Sequence, residues 1–528
     1  MGITIHQRVL EQAERTPRAV ALRGPGGAYT YAELAQRVRA LAHGLAAALP
    51  PGARVAIHRP KSIDAIVDLL ACLCAGCAYV PLDAASPMPR TRFVLEDSGA
   101  DALVTDEHTA ALWSQAPDAL ERLALVVMPD GHGPAHPRRR THAALAEPAP
   151  ATEAVRPVAA EALAFLLYTS GSTGTPKGVA ITHGNASAFV EWALEAFDVG
   201  PGDTVAVHAP LHFDLPVFDL YVSLGRGATV CPADEATLKF PEAFLRWLRS
   251  ERVSVLYAVP SALLALLKRS TVAKGGLGDL RLLLYAGEEF PVPRLRELRA
   301  LLRPDARVFN LYGPVETNVV TCCEVGPAEL ALARVPIGTA VSQARLVLVD
   351  EARAVIAPER TGVEGELLVS GPSVSPGYWR RDDLTAAARE VVNVAGESLR
   401  CHRTGDFAAW GPGGRLDFRG RRDGMVKSRG YRIDLGEIES VLADAPGVAE
   451  LAAVGVPHPE RTTEVVAFVV ARDGSARDEV PLLARCRERL PPYMVPAHVY
   501  WRDALPHTTT GKVDRVQLVA WAQEGARR

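Results

Sequence analysis

Residues 162–178 read ALAFLLYTSGSTGTPKG. A short apolar run passes directly into glycine, serine and threonine and closes on a lysine. The run has the length and content of a buried strand. The loop after it offers backbone N–H groups and hydroxyls that can close around phosphate oxygens. A nucleotide is therefore the first ligand to consider. A kinase-type P-loop is excluded, because that turn needs Ser or Thr after its lysine to hold magnesium. Here Gly178 follows Lys177, and Pro176 stands where a helix would have to begin. A flexible Gly/Ser linker is the other reading of this stretch taken alone.

Working outward, residues 31–49 and 63–75 carry helical apolar spacing. Short β-rich runs recur at 79–82, 102–105, 123–128, 205–209, 253–258 and 280–285, with helical stretches at 242–249 and 262–268 between the later ones. This alternation predicts stacked α/β layers with largely parallel sheets. Residues 129–157 are rich in Pro, Ala, Gly and Arg and read as a loop, with Arg138, Arg139 and Arg140 as a solvated surface rather than a nucleic-acid patch. From about 335 to 420 the texture turns to strands and tight turns, which predicts a small, barrel-like β subdomain. The last hundred or so residues alternate strand and helix and could fold as a separate α+β domain.

At 528 residues the chain exceeds one ordinary core. With 48% hydrophobic and 23% charged residues and a net charge of -3, it has no global attraction for nucleic acid or an anionic membrane. The eight cysteines are scattered, and Cys72, Cys74, Cys77, Cys322 and Cys323 sit in apolar surroundings, as buried free thiols do. No run approaches the length of a membrane span, and the first residues lack a signal-peptide core and a myristoylation serine or threonine. The expectation is a soluble, cytoplasmic protein.

Further stretches follow in order: AYVPLD at 78–83, FDLPVFDLY at 213–221, NLYGPVET at 310–317, GELLVSGPSVSPGYW at 365–379, RTGD at 403–406, GRRDGMVKSRGYRIDLGEIE at 420–439, LPPYMVP at 490–496 and GKVDR at 511–515. Together with the loop at 168–178 they cover nearly the whole chain. In content, order and spacing the chain resembles the adenylate-forming enzymes, in particular the amino-acid-activating adenylation domains of nonribosomal peptide synthesis. The resemblance implies a large lobe over 1–422 and a small mobile domain over 423–528, hinged at Asp423. It also implies ATP and Mg2+ as cofactors.

Residue by residue, the resemblance assigns Thr169, Ser170, Gly171, Ser172, Thr173, Gly174 and Lys177 to a loop over the β and γ phosphates. Asn310, Tyr312, Gly313, Thr317, Asp406 and Arg421 would surround the rest of the nucleotide, with Tyr312 stacked on adenine and Asp406 accepting both ribose hydroxyls. Glu316 would hold the metal, since magnesium accepts carboxylate oxygen. Lys512 would be the catalytic cation, lowering the repulsion between carboxylate and phosphate as they react. Thr510 stands where the family has Asn, which bears on the turn that carries Lys512.

Asp214 matches the acid that pairs with a substrate ammonium, which favours an amino acid over a plain acid. The walls carried over by motif are Leu215, Phe218, Tyr257, Leu284, Ala286, Leu311, Val319 and Val320, apolar but for one hydroxyl. They suit a compact apolar amino acid. The pattern is similar to stand-alone proline-activating enzymes that load a discrete phosphopantetheinylated peptidyl carrier protein, on which the prolyl group becomes a pyrrole. No carrier or condensation sequence occurs within the 528 residues, as expected of such an enzyme. Pro216 and Val320 depart from that group, which has Ser and Cys there, so pipecolate, valine and leucine remain open. So do a relative that passes its acyl group to coenzyme A and a non-catalytic nucleotide binder.

Overall fold

The computed structural model describes residues 4–146, 155–170, 175–422, 424–458, 462–472, 475–507 and 513–525. It has a large lobe built on two α/β sheets and a β unit, followed by a smaller α+β lobe.

The strand anticipated at 162–167 forms as Leu163–Thr169 and lies in an eight-stranded sheet. Ala78–Pro81, Arg54–His58, Ala102–Thr105 and Leu125–Val127 continue that sheet in parallel. Lys177–Thr182 returns antiparallel beside Leu163–Thr169, so the loop between them leaves from one edge of the hairpin. Gly377–Tyr378 then pairs with Lys177–Thr182 and brings Tyr378 next to that loop. The second sheet has nine strands, with Thr229–Pro232, Thr204–Val207, Val255–Ala258, Leu282–Ala286 and Arg307–Tyr312 running parallel at its centre. These strands are buried on both faces, which is why they read as continuous Val and Leu runs.

The helices begin where caps permit. Thr30 caps Tyr31–Ala48, and Glu33 reaches back to the Thr30 N–H. Ser62 caps Ile63–Cys74, and Thr182 with Asn185 closes the start of His183–Ala196. Each such cap satisfies donors that the helix cannot, at about 1 kcal/mol apiece. The stretch Val217–Val222 winds as a π-helix rather than an α-helix and carries Phe218. Local π geometry of this kind recurs at functional sites.

Residues 129–157 are not wholly loop. Arg139–Arg140 adds a short parallel strand to the first sheet and His142–Leu145 forms one helical turn. Arg138 and Arg139 donate to the carbonyls of Leu123 and Pro129, so these arginines close the chain against the sheet edge. Backbone pairing with an existing edge strand decides this, and local composition does not reveal it.

Strands between Arg345–Val349 and Leu416–Arg421 form a six-stranded antiparallel unit around Leu348, Leu367, Val369 and Leu416. In the small lobe, Val448–His458, Thr462–Ala471 and His498–Arg502 make a three-stranded sheet. Leu435–Ala443, Val480–Arg489 and Arg515–Gly525 are its helices. Ahead of that sheet stands a two-stranded hairpin, Met425–Ser428 with Tyr431–Asp434. All eight cysteines are free, with Cys322 and Cys323 half-buried and the others buried. Among the described residues no helix is long and apolar enough to cross a membrane.

Candidate active site

The cleft between the lobes is assembled from the ends of several strands. From the first sheet come Thr169, Ser170 and Lys177; Gly171, Ser172, Thr173 and Gly174 lie outside the described residues. From the second come Asn310 and Tyr312, at the end of Arg307–Tyr312, and Glu316 in the loop beyond. That loop folds back tightly: a Cβ on Gly313 would sit 1.7 Å from the Asn318 carbonyl oxygen, so only glycine permits the approach. Thr317 closes the same loop, its hydroxyl bonding to the Pro314 and Asn318 carbonyls, while Asn310 Nδ2 donates to Pro336. Both residues therefore act here as scaffolding.

Tyr312 and Asp406 meet directly. The Tyr312 hydroxyl donates to Asp406 Oδ2 at 2.6 Å, and Arg421 Nη1 donates to Oδ1 at 2.8 Å. Both carboxylate oxygens expected to take ribose hydroxyls are thus already engaged. A cavity of about 380 Å3 lies alongside, lined by Gly287, Asn310, Tyr312, Phe418 and Lys427. Burial, then Asp406, pushes the Tyr312 phenol far up, so it remains a donor.

Asp214 is half-buried just ahead of the π-helix. Burial pushes its carboxyl up to about 6, and its own and Leu215's backbone N–H groups and Lys427 only partly pull it back. A carboxylate held this way has unmet demand for a cation. Leu215, Phe218, Tyr257, Leu284, Ala286, Leu311 and Val319 pack in one core, with Phe218 edge-on to Tyr257 at 5.9 Å. Val320 packs instead with Tyr312, Ile337 and Leu416 in the core of the β unit. Successive residues of an extended segment face opposite ways, which separates Val320 from Val319.

The small lobe enters this cleft through its hairpin. Ile433 points back into the small-lobe core, and the alternation of the strand turns Arg432 toward the large lobe. Arg432 Nη1 donates to both Glu316 oxygens, at 3.1 and 3.0 Å. The Tyr378 hydroxyl donates to Glu316 Oε1 at 2.7 Å, and Lys177 Nζ lies 3.9 Å from the same oxygen. Burial alone would push the Glu316 carboxyl up; Arg432 and Lys177 outweigh it and hold the group well below the usual range. Ser170 Oγ donates to the Arg432 carbonyl at 2.5 Å and accepts from the Asp434 N–H at 3.1 Å. Further contacts join the lobes: the Gly430 N–H to Glu288, Arg90 to Glu437, and Tyr431 edge-on to Phe213 at 4.8 Å.

Magnesium needs an open carboxylate oxygen. Glu316 is 1% exposed and both its oxygens are taken, and among the described residues no group of three or more His, Cys, Asp or Glu could hold a metal. In this arrangement of the lobes the residues do not fit a metal ion. Cations and carboxylates are interleaved here: Lys177, Arg421, Lys427 and Arg432 lie among Glu316, Asp406, Asp434 and Glu288.

Below the hairpin a second cavity of about 690 Å3 separates the lobes, lined by Lys61, Asp83, His208, His212, Arg429 and Tyr431 among others. Lys512 and Asp423 lie outside the described residues. Arg432, Tyr378, Glu288 and Lys427 were not singled out from the sequence, although Lys427 and Arg432 stand inside the quoted stretch 420–439 and Tyr378 inside 365–379. Two cations in a hairpin of alternating strand residues were the available signal.

Residues 9–379 match the AMP-binding enzyme family, and residues 437–512 match the AMP-binding enzyme C-terminal domain. The chain is 41% identical to an L-proline--[L-prolyl-carrier protein] ligase of Streptomyces coelicolor, over 93% of this chain and 91% of the relative. It is 38% identical to an L-proline--[L-prolyl-carrier protein] ligase of Pseudomonas fluorescens, over 97% and 98%. Among solved structures it resembles the Vibrio cholerae adenylation domain AlmE in complex with glycyl-adenosine-5'-phosphate, with a TM-score of 0.85, 25% identity, and coverage of 98% or more of both chains.

Proposed function

Because this chain belongs to the AMP-binding enzymes, we propose that it activates L-proline with ATP and passes the prolyl group to the phosphopantetheine thiol of a peptidyl carrier protein. In the first half-reaction the amino-acid carboxylate attacks the α-phosphorus, giving prolyl-AMP and pyrophosphate. In the second the thiol sulfur attacks the acyl carbon, the C–O bond to phosphate breaks, and AMP leaves. The reading is supported by the two proline ligases that match nearly the full chain.

The observation that carries it is Asp214, a carboxylate that burial raises and Lys427 only partly offsets, directly ahead of the apolar residues Leu215 and Phe218. A zwitterion with a small apolar side chain satisfies it; a fatty or aryl acid leaves it unpaired, at a cost of about 2–5 kcal/mol. ATP would lie across the cleft, its adenosine toward the 380 Å3 cavity by Tyr312 and Asp406 and its phosphates toward Ser170 and Lys177. Mg2+ belongs to this reading through Glu316, in a lobe arrangement where that carboxylate is open. In the arrangement described, Arg432 holds the group. Lys512 is the candidate catalytic cation, and Asp423 the candidate hinge between a large lobe at 1–422 and a small one at 423–528.

With the hairpin seated in the cleft, the arrangement described suits the second half-reaction. The 690 Å3 cavity between the lobes then offers a route for the thiol arm.

The test is amino-acid-dependent exchange of pyrophosphate into ATP over a panel of proline, pipecolate, valine, leucine and a fatty acid. Proline should support the highest exchange rate. Exchange with the fatty acid and none with proline would place the chain among the coenzyme A-dependent relatives instead.

A further inference from the structure

We infer that Lys61 is a positioning residue for Asp214: reaching across from the first sheet, it holds both ends of the segment 207–219 that carries this carboxylate. The inference deepens the reading of Asp214 as the partner of the substrate amine and rests on it.

Lys61 lies between strand Arg54–His58 of the first sheet and Ser62, the cap of Ile63–Cys74. Its side chain leaves that sheet. Nζ donates to three successive carbonyls, those of Val207, His208 and Ala209, where strand Thr204–Val207 of the second sheet ends. An ammonium has three donors, so this set uses its full capacity and fixes the path of the chain out of the strand.

Further along, Asp214 opens the turn into the π-helix, its carbonyl accepting from the Val217 N–H at 3.0 Å. Within that helix Asp219 is fully buried, and neither of its carboxyl oxygens has a hydrogen-bond partner among the described residues. Such a group is costly to bury unless a charge answers it. Burial pushes the Asp219 carboxyl far up, and Lys61 is the cation that pulls it back. Asp219 is in turn the carboxylate that most favours the charged form of Lys61. One side chain therefore ties the strand end by hydrogen bonds and the π-helix by charge, and Asp214 sits on the span between. Lys61 lines the 690 Å3 cavity and not the 380 Å3 cavity by Tyr312, so the adenosine side of the cleft does not depend on it.

Pyrophosphate exchange with proline and ATP varied in turn separates the two KM values. Lys61→Met should raise KM for proline about tenfold and leave KM for ATP within about twofold. Lys61→Arg, which keeps the charge, should fall nearer the wild type. Asp219→Asn leaves the three carbonyl bonds in place and should raise KM for proline by a smaller factor; it carries the test if the methionine variant does not fold. In an Asp214→Asn background Lys61→Met should add nothing to KM, because Lys61 acts through Asp214.

Equal rises in the two KM values, a fall in kcat alone, an arginine variant no better than methionine, or a full further rise without Asp214 would overturn the inference. With Asp214→Asn itself raising KM, each of these results leaves the proposed function standing. If another acid of the panel supports exchange in place of proline, the same split is expected with that acid. An Asp214→Asn variant with the wild-type KM would sink the reading of Asp214 and this inference with it.

Discussion

The backbone N–H of Gly430, at the tip of the small-lobe hairpin, donates to Glu288 Oε1 of the large lobe at 2.7 Å. Glu288 spends its other oxygen on the Ser261 N–H at 2.8 Å, so one half-buried carboxylate pins the hairpin to the start of a large-lobe helix. The hairpin has a two-residue turn, Arg429 and Gly430, with φ of 52° and 80°. Such turns need positive φ at both positions, which glycine adopts freely.

Gly430→Ala should therefore impair transfer to the carrier more than adenylate formation. A Cβ there would meet Val259 Cγ1 at 2.5 Å, on top of the conformational cost. About 1–2 kcal/mol of left-handed strain corresponds to roughly a tenfold slower transfer. Single-turnover loading of a carrier, run beside pyrophosphate exchange, separates the two steps; equal losses in both would count against the hairpin's assigned half-reaction.

Asp214 predicts a pH dependence of amino-acid binding. Its carboxyl titrates at about 6 in the empty site, and an ammonium pairs with the ionised form. KM for proline should climb as pH falls below about 6, approaching tenfold per pH unit. Asp214→Asn should raise KM by the equivalent of about 2–5 kcal/mol and flatten that slope. The same raised pKa makes this group favour folding below the usual aspartate range, a contribution lost as pH rises through about 6. A KM profile unchanged by the substitution would show that Asp214 does not face the amine.

Lys61 is a half-buried cation whose Nζ donates to the carbonyls of Val207, His208 and Ala209 at 2.8, 2.6 and 3.3 Å. Burial lowers its pKa to about 7. Above that value the unfolded chain holds the proton more tightly than the folded one, so this residue's contribution to stability rises with pH up to the ordinary lysine range. Thermal melts of wild type and Lys61→Met between pH 7 and 9 should diverge in favour of wild type, by up to about 1.4 kcal/mol per pH unit. Parallel curves would mean that Lys61 stays charged throughout.

For Lys512, substitution by alanine should lower pyrophosphate exchange by about 10²-fold or more. Transfer from supplied prolyl-AMP should fall far less. The next residue in the chain, Val513, packs in the small lobe with Phe468 and Leu518. A variant that still formed adenylate at the wild-type rate would assign the role to another residue.

The parallel strands were legible because burial on both faces writes itself as continuous apolar runs: 280–285 became Leu282–Ala286, and 253–258 became Val255–Ala258. The caps at Thr30 and Ser62 are likewise local chemistry. Arg139–Arg140 was not legible as a strand, because two arginines carry no apolar alternation and only backbone pairing with Val126 and Val127 makes them one. The π-helix at Val217–Val222 shares its apolar spacing with an α-helix and left no separate mark. In the site, Asp214, Glu316, Asp406 and Lys177 stood out as charged residues in characteristic short stretches. Their partners did not: Arg432 reaches Glu316 across 116 residues of chain, and Tyr378 across 62.

By itself the sequence determined the layered α/β class, the family, and the type of each chemical group in the cleft, since these depend on residue kind and short-range spacing. Only the tertiary structure decided which groups are already paired. Tyr312 is committed to Asp406, Ser170 to the hairpin and Glu316 to Arg432. The reason is physical: a carboxylate's availability depends on the charges and donors within a few ångströms, and in a two-lobed chain those are set by how the lobes dock.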